Sequence, residues 1–294
     1  MTQPFVPLRA SSLCLLLIII ASCSKERTET PKPSAPLVQK PATMPPSATV
    51  HPVSGHYRSY LIDGASALSA LLRSLGPDGM MLVYKLNRRD LKHLKTGDSI
   101  VIPLAADSIL AYSPFPRHLD SLGAQGKLLV ISRRVQAFAA YEHGTLVRWG
   151  PTSTGKRTTP TPEGLYHTNW KSKQTHSTVD DAWILNWYFN LDNLEGISLH
   201  EYDLPGYPAS HSCVRLLSED AEWIYHWADQ WILTPDGARV ATNGTPVIVF
   251  GNYAYGKIPP WKKLATDSSA CDVNVSEVTS AVRTYLVSDS SIRK

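Results

Sequence analysis

The chain reads as a mainly β protein: a β-sandwich domain with one or two helices, preceded by a small α+β domain. Three observations predict this. Between residues 127 and 250, short apolar runs recur with turn residues between them. Only one pronounced helical stripe interrupts those runs, at 218–231. Ahead of them, residues 57–104 carry a helix pattern and then a strand pattern, set off by a proline-rich stretch.

Residues 1–22 read as an export signal. Arg9 supplies a basic start, and the apolar run from Leu13 to Ile20 is too short for a permanent membrane span. The run closes on Ile20-Ala21-Ser22-Cys23, which resembles a bacterial lipobox. That resemblance implies lipidation of Cys23 and a periplasm-facing lipoprotein of the cell envelope, held to a membrane by its N-terminal lipid. An ordinary signal peptide with an incidental cysteine is the other reading. Residues 23–52, rich in Pro, Thr, Lys and Ser, form a tether that has too little apolar surface to bury a core.

Residues 53–105 form the small domain. Ser66 to Leu75 has helical apolar spacing and stops at Gly76-Pro77. Met81 to Asn87 follows, then a turn at Gly97-Asp98 and a strand to Pro103. The second half resembles a LysM module, a βααβ glycan-binding domain, although its opening strand is weak. The resemblance implies contact with glycan strands; a spacer without glycan affinity is the alternative. Residues 106–126, with Pro114, Pro116 and Gly123, connect.

The domain at 127–255 begins with strands at Lys127–Ser132 and Val135–Tyr141. A turn at Glu142-His143-Gly144 leads to a third strand, Thr145–Trp149. Further strands are expected at Trp183–Phe189, Gly196–Leu199 and Val247–Phe250. The helix is expected to be capped by Ser218, with Glu219, Asp220 and Glu222 at its positive end. Trp223, Trp227 and Trp231 form its core stripe. His226 reads as structural or exposed. Residues 256–294 read as a C-terminal tail, polar around Cys271, with a helix near Val275–Leu286.

The net charge of +4 is scattered along the chain, so nothing argues for nucleic acid as a partner. Of four cysteines, Cys14 leaves with the signal and Cys23 carries lipid. Cys213 and Cys271 remain, and a disulfide between them is the bland alternative in an oxidising compartment.

Cys213 carries the chemistry. It sits in Ser210-His211-Ser212-Cys213-Val214-Arg215, with His200 thirteen positions earlier. A thiol attacks a carbonyl carbon as the thiolate, which a neighbouring imidazole generates. His200 is the first choice for that base, at the end of an apolar run; His211 is the second. His200, His211 and Cys213 lack a second cysteine at metal spacing and a HExxH-type helix, so no metal is expected.

Residues 127–255 resemble a YkuD-type L,D-transpeptidase catalytic domain in three ordered segments. These are the opening hairpin Lys127–Trp149, the run from Thr152 to Gly164 with its Thr159-Pro160-Thr161-Pro162 core, and Ile197–His200 with Ser210–Leu216. Two residues depart from the pattern: Ser212 and Glu201 stand where the family usually has glycine. The loop between His200 and the motif that opens at Ser210, Glu201 to Ala209, is also short. If position 212 takes a positive φ, serine there costs about 1 kcal/mol.

The resemblance implies cysteine acyl transfer on peptidoglycan stem peptides, with no cofactor. Cys213 attacks the bond between the diamino acid and D-Ala of a tetrapeptide stem. The acyl group then passes to an amine, in a 3→3 cross-link or in attachment of a protein, or to water as in an L,D-carboxypeptidase. It places the oxyanion hole at the N–H groups around Ser212 and Cys213, gives Ser210 the motif turn, and suits Arg215 to a stem carboxylate. A surface ion pair is the other reading of Arg215. Trp170, Trp183, Trp187 and Tyr188 are candidate cleft walls, with core packing the default reading for most of them. The competing class is an inactive, peptidoglycan-binding lipoprotein.

Overall fold

The computed structural model describes residues 56–287 apart from 106, 107, 124 and 178. The expected signal, Cys23 and the tether lie outside the described residues. Among the described residues, no helix is long and apolar enough to cross a membrane.

The small domain opens with β1 (Tyr57–Leu61), paired antiparallel with β2 (Ser99–Pro103). Helix α1 (Gly64–Asn87) lies between them. The expected stop at Gly76-Pro77 is a kink: Gly76 takes φ 65°, ψ −175°, and helix resumes through Asn87. Proline tolerates this because the break comes before it, at the start of a new first turn where its missing N–H costs nothing. The element order is therefore strand, helix, helix, strand. Ile62, Leu71, Met80, Val83, Ile100 and Ile102 form its core.

The β domain is one nine-stranded sheet rather than two separate ones. Its strands are β3 (Lys127–Ser132), β4 (Ala137–Glu142), β5 (Thr145–Ser153), β6 (Gly164–His167), β7 (Lys171–His176) and β8 (Ile184–Asp192). They continue with β9 (Ile197–Glu201), β10 (Val214–Leu216) and β13 (Pro246–Phe250), while β11 (Ile232–Leu233) and β12 (Val240–Thr242) form a separate hairpin. The order is β6-β13-β3-β4-β5-β10-β9-β8-β7.

The sheet curls so that its two halves face across a core, which preserves the sandwich character the sequence implies. Leu129, Ile131, Phe138, Ala140, Val247 and Val249 meet Phe189, Leu191, Ile197, Leu199, Val214 and Leu216. β3 and β4 are buried on both faces. Their alternate residues Leu128, Val130, Ala137, Ala139 and Tyr141 enter a second core, shared with the small domain and the C-terminal segment. The expected alternation of Val135, Ala137, Ala139 and Tyr141 is thus one face of this arrangement. The strand itself begins at Ala137, because Gln136 turns the chain with φ 48°. The turn at His143 (φ 45°) and Gly144 (φ 74°) has the twist that a tight hairpin requires.

Helix α2 (Ser218–Trp227) differs from expectation at both ends. Leu217 occupies the cap position and Ser218 makes no capping bond; Trp231 lies beyond the helix. Trp223 and Trp227 stack at 4.9 Å against the curled core, and His226 is exposed. Asp220, fully buried, accepts hydrogen bonds from Lys85 Nζ (2.6 Å) and Arg148 Nε (2.8 Å). That ties α1 of the small domain to α2.

The C-terminal segment corrects the polar-tail reading. Cys271 and Trp261 are buried, and helix α3 (Val275–Val282) is capped by the Asn274 side chain, 2.9 Å from Glu277 N. The buried Arg88 guanidinium lies between the rings of Trp149 (5.7 Å) and Trp261 (5.5 Å). Cys213 and Cys271 are both free thiols.

Candidate active site

Strands β9 and β10 run parallel, with Leu199 opposite Val214 and His200 opposite Arg215. Leu199 and Val214 point into the core. Strand alternation then sends Ser198, His200, Cys213 and Arg215 to the opposite face. The pairing brings His200 and Cys213 to neighbouring strands whatever the length of the loop joining them. The short loop therefore does not separate them.

Cys213 sits just before β10, at the end of a strained turn. Ser212 has φ 93°, the left-handed region that glycine usually fills. The turn is held from outside by the segment Thr154–Thr161. Ser210 N donates to Thr154 O (3.1 Å), and Lys156 N donates to Ser210 O (2.9 Å). Thr161 Oγ1 donates to Ser212 O (2.7 Å) while accepting from Gly155 N (2.9 Å). Gly155 permits this closeness, since a Cβ there would lie 2.1 Å from Thr159 O. Ser210 Oγ closes the turn on the Cys213 carbonyl, the role expected of it. None of the hydrogen bonds that close the turn uses the Cys213 N–H.

The Cys213 thiol is half-buried. Its Sγ lies 3.2 Å from both Ser198 Oγ, which donates to it, and Gly196 O, to which it donates. Burial pushes the thiol above its usual range, and the Ser198 hydrogen bonds offset part of that.

His200 is buried, and burial lowers its pKa to about 4. Its Nδ1 lies 2.8 Å from Glu201 O. A carbonyl only accepts, so Nδ1 carries the proton and Nε2 keeps its lone pair. Glu201 therefore contributes a backbone carbonyl, which its side chain does not alter. Tyr188 stacks on the ring at 6.5 Å and Tyr202 meets it edge-on at 5.9 Å.

His211 is arranged differently. Lys156 Nζ lies 2.8 Å from its Nε2, and an ammonium only donates, so that lone pair is occupied. Nδ1 is buried without a partner. Burial first, then Lys156 and Arg215, lower its pKa below the ordinary imidazole value.

Arg215 stacks on Tyr202, with its guanidinium 4.5 Å from the ring, and makes no carboxylate ion pair among the described residues.

Cys213, His200, His211, Ser198 and Arg215 line one cleft of about 240 Å³. Trp170, Trp183 and Tyr188 wall it as expected. Trp187 does not: φ 51° turns it to α2, where it meets Tyr225 at 5.4 Å. Among the described residues, no group of three His, Cys, Asp or Glu side chains converges as a metal site would.

The sequence pointed to Cys213, both histidines, Ser210 and Arg215. It missed Ser198, Lys156 and Thr161. Ser198 was within reach, since it lies two positions before His200 on the same strand face.

The fold and cleft thus define a thiol–imidazole site on one face of a curled β-sheet. Residues 126–249 match the family model of the L,D-transpeptidase catalytic domain, YkuD. Among solved structures, the chain is similar to an L,D-transpeptidase (Yku) from Stackebrandtia nassauensis at 24% identity, over 44% of this chain and 57% of that one, TM-score 0.36. It is also similar to L,D-transpeptidase 1 of Mycobacterium tuberculosis at 20% identity, over 43% and 62%, TM-score 0.32. A mutant Enterococcus faecium L,D-transpeptidase aligns at 20% identity, over 43% and 50%, TM-score 0.34. In each case the match covers less than two thirds of the other chain. A search of curated protein sequences finds no match.

Proposed function

We propose that the chain is a peptidoglycan L,D-transpeptidase acting by cysteine acyl transfer. One observation carries the reading: His200 Nδ1 is committed to the Glu201 carbonyl, which leaves Nε2 as the free base in the cleft that holds Cys213. His211, with its acceptor taken by Lys156, is not available for that task.

In the first half-reaction His200 Nε2 takes the Cys213 proton as sulfur attacks the carbonyl of the diamino acid–D-Ala bond. The carbonyl π electrons move to oxygen, which faces the Cys213 N–H. Collapse expels the D-Ala amine, which takes the proton from His200, and a thioester remains. An amine of a second stem then attacks, its proton passes to His200, and Sγ leaves as the thiol. Arg215, which pairs with no carboxylate among the described residues and stacks on Tyr202, binds a stem carboxylate with its planar fork.

Tetrapeptide stems incubated with the protein should lose D-Ala and leave a tripeptidyl adduct on Cys213 by mass spectrometry. A dimeric stem product identifies an amine acceptor; a free tripeptide identifies water. Without adduct or D-Ala release, the reading gives way to an inactive wall-binding lipoprotein. The reading includes anchoring through Cys23 and periplasmic exposure, tested by incorporation of labelled fatty acid into wild type and its absence in Cys23→Ala.

A further inference from the structure

Cys213 Sγ has a neighbour that the transfer scheme above does not use. Ser198 is fully buried, and its Oγ donates to Sγ at 3.2 Å. The parallel register explains the contact, since one step back from the Leu199–Val214 pair sets Ser198 beside Cys213.

On the same cleft wall, Asn190 Nδ2 donates to the Tyr188 hydroxyl at 3.2 Å. Asn190, Tyr188, Ser198 and Cys213 all border the cleft.

We propose that Ser198 is a positioning residue whose hydroxyl holds Cys213 as a thiolate once its proton has left. The inference rests on Cys213 being the nucleophile, and it adds the group that stabilises the developing sulfur charge. In the resting thiol, Sγ–H points to Gly196 O. When the S–H bond breaks and the proton moves to His200 Nε2, the Gly196 carbonyl faces a negative sulfur and the contact becomes unfavourable. The Ser198 hydroxyl then strengthens, because a hydrogen bond to an ion is about twice as strong as one between neutral groups.

The test needs no stem peptide. The full chain is alkylated with iodoacetamide across a range of pH, and the Cys213 peptide is followed by mass spectrometry, which separates it from the other cysteines. Ser198→Ala should slow alkylation at pH 8 by about tenfold, with the deficit shrinking as pH rises, and Ser198→Thr should restore most of the rate. A Ser198→Ala rate equal to wild type overturns the proposal, as does a deficit that is the same at every pH. If Ser198→Ala does not fold, Ser198→Gly removes the same hydroxyl and should give the same pH-dependent deficit; an unchanged rate there overturns it equally. A normal alkylation profile in a wild-type protein that stems never acylate sinks the transpeptidase reading and leaves the Ser198 relationship standing.

Discussion

Thr161 Oγ1 donates a 2.7 Å hydrogen bond to the carbonyl of Ser212, the residue that precedes Cys213. Carbonyl and N–H point opposite ways across a trans peptide, and no peptide among the described residues is cis. By fixing the Ser212 carbonyl, Thr161 also fixes where the Cys213 N–H points. Thr161→Val keeps the side-chain shape and removes the donor. It should lower the acylation rate by about tenfold to a hundredfold and stability by about 1–2 kcal/mol, with Thr161→Ser near wild type. Stopped-flow acylation and urea unfolding read the two effects.

Ser212 itself pays for its φ of 93°. Ser212→Gly should raise unfolding stability by about 1 kcal/mol and preserve acylation, whereas Ser212→Val should lose both. A glycine variant less stable than wild type in urea would contradict the strain.

His200 makes stability depend on pH. Its folded pKa of about 4 lies below the ordinary 6.5 because burial penalises the cation. Between those values the unfolded chain binds a proton that the folded chain refuses. The contribution is therefore fully present above pH 6.5 and lost as pH falls toward 4, roughly 3 kcal/mol in all. Urea unfolding across that range should show the loss in wild type, and a flatter dependence in His200→Gln.

The pair of Lys85 and Asp220, both almost wholly buried at 2.6 Å, joins the small domain to α2. Asp220→Ala strands the Lys85 ammonium and the Arg148 guanidinium together, and should cost about 3–5 kcal/mol in unfolding free energy. Chemical denaturation monitored by tryptophan fluorescence checks this. Loss below 1 kcal/mol would mean that water reaches Lys85.

Sequence patterning exposed those parts whose order is local. The hairpin β3–β5 was legible because Glu142-His143-Gly144 punctuates two alternating runs. α2 was legible in its interior but not at its cap, since Ser218 looks like a capping residue and its place is taken by Leu217. β10 is three residues long and exists through its neighbours β5 and β9, so no periodicity announces it. The burial of Trp261 and Cys271 is equally non-local: both enter the second core, Trp261 against Arg88, from a stretch that is polar along the chain. Within the site, Cys213, His200 and His211 were legible as a motif. The division of labour between the histidines was not, because it depends on Lys156 Nζ and the Glu201 carbonyl, which only the fold brings to those rings.

The most direct test of the central claim is the intact mass of the protein after exposure to tetrapeptide stems, with wild type beside Cys213→Ala. The account predicts a tripeptidyl thioester on wild type, mapped to Cys213, with D-Ala released and neither event in the variant. Release of D-Ala by Cys213→Ala at the wild-type rate would contradict it.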